Sequence, residues 1–301
     1  MAPKITQNWK QEVDNRLQSI SGQDAKEMAA ANADMIRRIL AGAGPDDKNK
    51  PDPARGARVA VNIAAVHVPA FCSSAYKNTY DLKTTQPLTQ IPPNTEIPPR
   101  TLVDDVLTAV TGTAAEKIYF CAVEVNGAGI RFYGDICFIL KGAVANPDTV
   151  VLTSNSYDLV RPPITPSGQK PDLATLKQYV GKIAGLWRAD MPYMATLKTI
   201  ASRAIMERRL TTGQISAAVL DDEDYLEVLK IGSFDVTNLQ EARVSAADTA
   251  AEVQIGELLR LGPSPSLAEL QWRKHRRAAV KALQRHGVRT RTVTTSGRIR
   301  T

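Results

Sequence analysis

KIYFCAVEVN (117–126) and IRFYGDICFILK (130–141) decide the fold class of this 301-residue chain. Both runs are dense in β-branched, aromatic and cysteine side chains, and only Gly127-Ala128-Gly129 separates them. Two such runs around a short glycine-containing turn predict a pair of strands joined as a hairpin. Upstream, ARVAVNIAAVHVPA (57–70) reads as a strand with both faces largely apolar, and downstream Thr149 to Thr153 and Ser156 to Val160 read as short strands. Between the first strand and the hairpin lies a Pro-rich excursion, 85–99, and then a short helix from Thr101 to about Val110. Thr101 and Asp104 have the spacing of a capping box there, and Gly112 is the stop.

Both flanks of this β-rich centre carry helical patterns. Ile5, Trp9, Val13, Leu17 and Ile20 recur at helical spacing, and a second helix is expected from Gln23 to Ala41, ended by Gly42 and Gly44-Pro45. From 171 onward the cap signals predict helices throughout. Asp172 opens 173–187, Asp190 opens 191–210 and Asp221 opens 222–230; Ser245 with Asp248 opens a helix to Leu261, with Gly262 at its end. Ser266 with Glu269 opens a last, basic helix that stops at Gly287, and the final VRTRTVTTSGRIRT (288–301) lacks apolar periodicity and is expected to be disordered in isolation. Segregated elements of this kind indicate an α+β fold. The expected organisation is an N-terminal helical arm (1–41), a linker (42–56), an α+β core (57–262, β-rich over 57–160 and helical over 171–262), and a basic helix with tail (263–301).

Hydrophobic residues make up 43% of the chain, enough for a core, and only 5% is aromatic, so that core is expected to be aliphatic. Charge is unevenly placed. Ten basic residues lie between Gln271 and Thr301 with no acid after Glu269; the rest of the chain holds 28 basic residues against all 31 acidic ones. A near-neutral body with a cationic end points to an acidic partner: nucleic acid, an anionic membrane surface or an acidic protein face. Cys72, Cys121 and Cys137 form no CxxC, and His67, His275 and His286 show no metal-ligand spacing, so no structural metal is expected and a reducing, cytoplasmic setting is. No run approaches the ~20 apolar residues of a membrane-spanning helix.

Tyr133-Gly134-Asp135 through Leu140-Lys141 resembles the YGD-x-x-x-x-L-K strand of some bacterial toxins with an ADP-ribosyltransferase-like fold. Tyr76-Lys77-Asn78 resembles a YKN segment of the same proteins, and Met206 to Gly213 lies where they carry a glutamate-containing strand followed by a glycine. The three pieces come in the same order, within about residues 75–215. The resemblance implies cleavage of the nicotinamide–ribose bond of NAD through an oxocarbenium-like transition state, with transfer of ADP-ribose to an acceptor. Glu207 would stabilise the developing positive charge, Ser154 or Ser156 would shape the nicotinamide pocket, and Tyr133 or Tyr157 would stack on the nicotinamide ring. Read from its neighbours alone, Glu207 is a solvated charge on a helix beside Arg203 and Arg208.

Two further acidic features stand out. Asp135 interrupts an apolar strand, so it is paired, hydrogen-bonded or turned outward, because burying a lone carboxylate costs several kcal/mol. Asp221-Asp222-Glu223-Asp224 lacks the glycine of a calcium loop and suits the first turn of a helix.

The cationic end supplies a reading of another class. Arg273, Arg277 and Lys281 share a helix face, and with Lys274, Arg276, Arg285, Arg289, Arg291, Arg298 and Arg300 they are the expected contacts to nucleic acid or another polyanion. Terminal arms around a β-rich centre also suit a non-enzymatic coat- or nucleocapsid-like protein that assembles as a homo-oligomer. No P-loop, GxGxxG, GxSxG or HExxH occurs.

Overall fold

The computed structural model describes residues 5–42, 56–78, 100–142, 149–160, 164–165, 172–200, 204–211, 214–215, 225–262 and 264–294. The fold is α+β, an eight-stranded mixed sheet with helices on both faces. The strands are β1 (Arg58–Ile63), β2 (Ile118–Glu124), β3 (Ile136–Leu140), β4 (Val150–Leu152), β5 (Ala184–Leu186), β6 (Glu227–Ile231), β7 (Leu239–Ser245) and β8 (Thr290–Val293). Their order is β5-β4-β6-β2-β1-β3-β7-β8, antiparallel throughout except for the parallel β7–β8 pair. Among the described residues the helices are α1 (Trp9–Gln18), α2 (Gln23–Leu40), α3 (Val68–Cys72), α4 (Arg100–Thr111), α5 (Leu173–Ile183), α6 (Met191–Ile200), α7 (Ala204–Glu207), α8 (Ala246–Leu261) and α9 (Leu267–Arg285).

Strand alternation separates two cores. Val59, Val61, Cys121, Val123, Ile136, Phe138, Val151, Val228 and Ala242 point to one face, where they pack against α1, α2, α3, α6, α7 and α9. Ile118, Val150, Leu152 and Leu229 point to the other, under α4 and α5. Among the described residues that second cover spans only the β4–β6–β2 end, and towards β1 the second face carries Ala60, Asn62, Ala122, Glu124 and Glu227.

Several sequence expectations are corrected. The two central runs are not a hairpin: β1 inserts between β2 and β3 and pairs antiparallel with both. The intervening loop instead wraps a buried carboxylate, as described below. Residues 65–70, read as the end of a strand, form a 3-10 turn and the start of α3, and 156–160 form a 3-10 turn. The region 171–262 is not all helical, because β5, β6 and β7 lie in it. At 227–231 the alternation of Glu227 and Leu229 with Val228 and Lys230 fits a strand, and Cys121↔Val228 pairing takes its backbone groups. Of the expected 191–210 helix, the described residues give α6 and α7, and residues 208–210 are not helical.

The expected N-terminal arm packs into the main core, with Trp9, Val13, Ile36 and Ile39 buried in it and the Trp9 indole donating to Ala184 O at 2.8 Å. Nor is the stretch after Gly287 without structure: Thr290–Val293 is β8, whose backbone pairs with β7, and Val288 and Val293 are buried. The linker over 43–55, the 85–99 excursion and the 221–224 acids lie outside the described residues. The capping box of Ser266 and Glu269, the Ser245 and Asp172 caps, and Gly262 at φ 102° stand as expected.

Candidate functional site

The loop after β2 is built around Glu124, which is fully buried. Its carboxylate accepts the backbone N–H groups of Val125, Gly127 and Gly129, each at 2.7 Å. Burial pushes this carboxyl upward, and the Gly127 amide, the Arg243 guanidinium and the amides of Gly129 and Val125 oppose that. Arg243 Nη1 donates to the carbonyls of Val125 and Gly127 at 3.0 and 3.1 Å, so the loop is tied from both sides. Asn62 completes the cage: its Nδ2 donates to Ala128 O and Gly134 O, both at 3.0 Å, and its Oδ1 accepts from Ile130 N at 2.8 Å. Gly129 has no room for a side chain, since its φ is +65° and a Cβ would stand 2.0 Å from Asn62 Oδ1. Gly134 passes so close to β1 that a Cβ would sit 2.1 Å from the Ile63 carbonyl carbon. The outcome is a closely tied loop that presents Tyr133, half of it solvent-exposed, over the part of the sheet that the described helices leave open.

Beneath Tyr133 is a cleft of about 350 Å³, lined by Asn62, Phe120, Tyr133, Asn155, Tyr157, Tyr225 and Glu227 among others. Glu227 is 2% exposed. Its Oε2 accepts the Ser156 N–H at 2.9 Å, and the Tyr225 hydroxyl lies 3.5 Å from Oε1. Burial raises this carboxyl to about 7; the Ser156 amide and hydroxyl and the Tyr225 hydroxyl lower it, and Asp158 raises it further. The hydroxyls of Tyr225 and Tyr133 lie 3.4 Å apart, and Asn155 Nδ2 donates to Tyr133 Oη at 3.2 Å. Burial and the nearby Glu227 push Tyr225 strongly upward, so it is a hydroxyl and not a phenolate at neutral pH. The cleft therefore offers one buried acid, Glu227, four tyrosines (Tyr76, Tyr133, Tyr157 and Tyr225) and Phe120. A second cleft of about 550 Å³ adjoins it and shares Asn62, Tyr76, Lys77 and Tyr133.

The residues expected to form a site divide between places. Tyr133 and Tyr157 line the first cleft together. Ser156 lies beneath it, buried, with its amide on Glu227, whereas Ser154 is half-buried and does not line it. Glu207 is exposed at the end of α7, which is held to α2 on the other face of the sheet, and it lines neither cleft. Asn32 makes that attachment: Nδ2 donates to Ile205 O and Arg208 O at 2.8 and 2.9 Å, and Oδ1 accepts from Leu210 N at 3.0 Å. Asp135 is paired rather than free, with Oδ1 accepting from Ala65 N at 2.8 Å and Oδ2 3.2 Å from Arg276 Nη1.

Glu227 was missed by sequence reading. Its signal was YLEVLKIG (225–232), an acid between apolar residues with a glycine at the end, obscured by the acidic run that precedes it.

The expected polyanion contacts also sort themselves. Arg276 is withdrawn from that role: it is 2% exposed and lies between Asp135, Glu252 at 3.3 Å and Asp248 at 3.8 Å, over the Trp272 ring. Arg273 is half-buried against Gly256, and Arg291 pairs with Glu241 at 3.1 Å. Arg298 and Arg300 lie outside the described residues. Lys274, Arg277, Lys281, Arg285 and Arg289 are exposed.

All three cysteines are free and buried. Among the described residues no group of three or more His, Cys, Asp or Glu side chains could hold a metal ion, and no helix is long and apolar enough to cross a membrane. Comparison with family models, with curated proteins and with solved structures finds no match to this chain.

Proposed function

We propose that the cleft binds NAD and cleaves its nicotinamide–ribose bond, with Glu227 in the role that the sequence resemblance had given to Glu207. One observation carries this reading. Glu227 is a buried acid on a strand that ends at Ile231 and is followed by Gly232, and it lines the same cleft as Tyr133 and Tyr157. A glutamate-bearing strand followed by a glycine is the element the resemblance calls for, and β6 supplies it 20 residues beyond the position first assigned. The tyrosine rings offer a stacking surface for the nicotinamide. The adjoining cleft gives room for the rest of the dinucleotide, with the exposed Lys77 at the junction for its phosphates.

In this mechanism the bond between the ribose anomeric carbon and the nicotinamide nitrogen breaks heterolytically. Nicotinamide leaves with the bonding pair as a neutral molecule, and positive charge develops on the ribose. An ionised Glu227 in a water-poor cleft stabilises that charge. The nucleophile of an acceptor, or water, then bonds to the anomeric carbon and releases a proton.

The test is nicotinamide release from NAD by the wild-type protein, Glu227→Gln and Glu207→Ala, each checked for native circular dichroism. The expected result is release by wild type and Glu207→Ala, and a loss of roughly 100-fold or more in Glu227→Gln. Wild type that neither binds nor cleaves NAD, or Glu227→Gln that cleaves it normally, overturns the assignment.

A further inference from the structure

Helix α9 turns one face inward and leaves another bare. Ala279 and Leu283 are buried in the main core, and Arg276, between Asp135, Asp248 and Glu252, fixes the helix against the β1–β3 end of the sheet and α8. On the solvent side Lys274, Arg277, Lys281 and Arg285 are all exposed. Their spacing of three, four and four residues keeps them within an arc of about 80° along about 16 Å of helix. Among the described residues, none of these four side chains takes part in an ion pair or hydrogen bond, and the only acid on the helix, Glu269, is occupied by the N-terminal cap at Ser266.

We propose that this stripe is a nucleic-acid surface that tracks a phosphodiester backbone without reading its sequence. Regularly spaced cations on a helix that is already rigid neutralise successive phosphates and release their counterions, with little ordering cost. The neighbours of the stripe decide against the other anionic partners. Gln271, Ala278 and Gln284 flank it, with no large apolar side chain among them, and Trp272 is half-buried beneath Arg276. A helix that lies on a membrane needs an exposed apolar face, and here that face is in the core. A protein interface is usually anchored by apolar or aromatic residues; along the four cations there is none, and the one exposed apolar residue on this face, Leu267, stands two turns before Lys274 at the start of the helix. The inference does not depend on NAD chemistry in the cleft.

Fluorescence anisotropy of the full chain with a labelled single-stranded RNA of about 20 nucleotides tests it across a salt series. Four phosphate contacts predict a slope of log affinity on log salt near −2.8, about a 50-fold loss between ~50 and ~200 mM salt. The combined variant Lys274→Ala, Arg277→Ala, Lys281→Ala and Arg285→Ala removes only exposed side chains, and thermal melting confirms that it is folded. It is expected to lose that much slope and at least ten-fold in affinity at low salt. RNA binding with the same slope in the variant overturns the assignment, as does no binding by wild type. So does stripe-dependent binding to phosphatidylserine vesicles in preference to the RNA.

Discussion

Replacing Glu227 by Gln tests the site through stability before any activity is measured. In the folded protein the carboxyl titrates at about 7 against an ordinary 4.5, because burial outweighs the Ser156 amide and the Tyr225 hydroxyl. A raised folded value means that the native state holds the proton more tightly than the unfolded chain. The associated stability is fully present below about 4.5 and is lost as pH rises through about 7. A displacement of that size corresponds to roughly 3 kcal/mol. Gln cannot ionise, yet its carbonyl still accepts the Ser156 N–H, so it imitates the protonated acid. Urea unfolding of both proteins from about pH 4 to 9 should show near-equal stability at the acid end, with the variant gaining to roughly 3 kcal/mol above wild type at the alkaline end, at constant m-value. Asp104, raised to about 6, and Glu124, also raised, titrate in both proteins and cancel in the difference. A difference that is flat with pH, or a variant that is less stable at pH 9, would refute the claim that Glu227 is a strained acid. The transferase reading adds a kinetic counterpart: kcat/KM should rise through about pH 7 as the carboxylate forms.

Three further outcomes follow from the packing. Arg276→Met strands Asp135 and Glu252 and leaves Asp248 with Arg131 alone; it should cost about 3–5 kcal/mol, read as a fall in the urea midpoint. Asn32→Ala removes two buried hydrogen bonds and one part-buried one between α2 and the 205–210 segment, for a loss of about 3 kcal/mol and faster amide exchange at Leu210. Burial pushes the Cys121 thiol up to about 12 and Cys137 well above its ordinary value, so both should resist a thiol reagent in the native protein and react on unfolding.

What the sequence made legible was local. The Ser266–Glu269 box, the Ser245 and Asp172 caps and the glycine stops depend on residues within a few positions of one another, and they are found where expected. The β2–β3 hairpin failed because its alternative, insertion of β1, is a long-range event, and the glycines between the runs serve a buried carboxylate from outside the turn. β5, β6 and β8 are short or follow acidic or basic runs, so charge masked their alternation. The basic face was misjudged by one helical step. Periodicity groups Arg273 with Arg277 and Lys281, but only the contacts of Ala279 and Leu283 with the core reveal that Arg273 and Arg276 turn inward. The resemblance singled out Tyr133 and Tyr157, which line one cleft, whereas the acid in that cleft had to be found in space.

Within the proposed reaction, the sheet favours Glu227 over its buried neighbour Glu124 as the acid that acts. Its second face buries two glutamates in neighbouring strands, with Glu227 opposite Ala122 and Glu124 two residues further along β2. Both are nearly inaccessible, yet they are treated differently. Glu124 receives three backbone N–H groups and has Arg243 beside it, lines neither cleft, and ties down the loop that carries Tyr133. Every contact it makes is accounted for by folding. Glu227 receives a single backbone N–H, faces the cleft with its other oxygen only 3.5 Å from a tyrosine hydroxyl, and is left to titrate near neutrality. Three backbone amides and a guanidinium face Glu124, whereas Glu227 has one backbone amide and hydroxyl partners and, among the described residues, no cation beside it. A buried acid that lines an aromatic cleft without a cation suits a ligand whose positive charge the protein does not itself supply. The oxocarbenium-like ribose of the proposed reaction is such a charge.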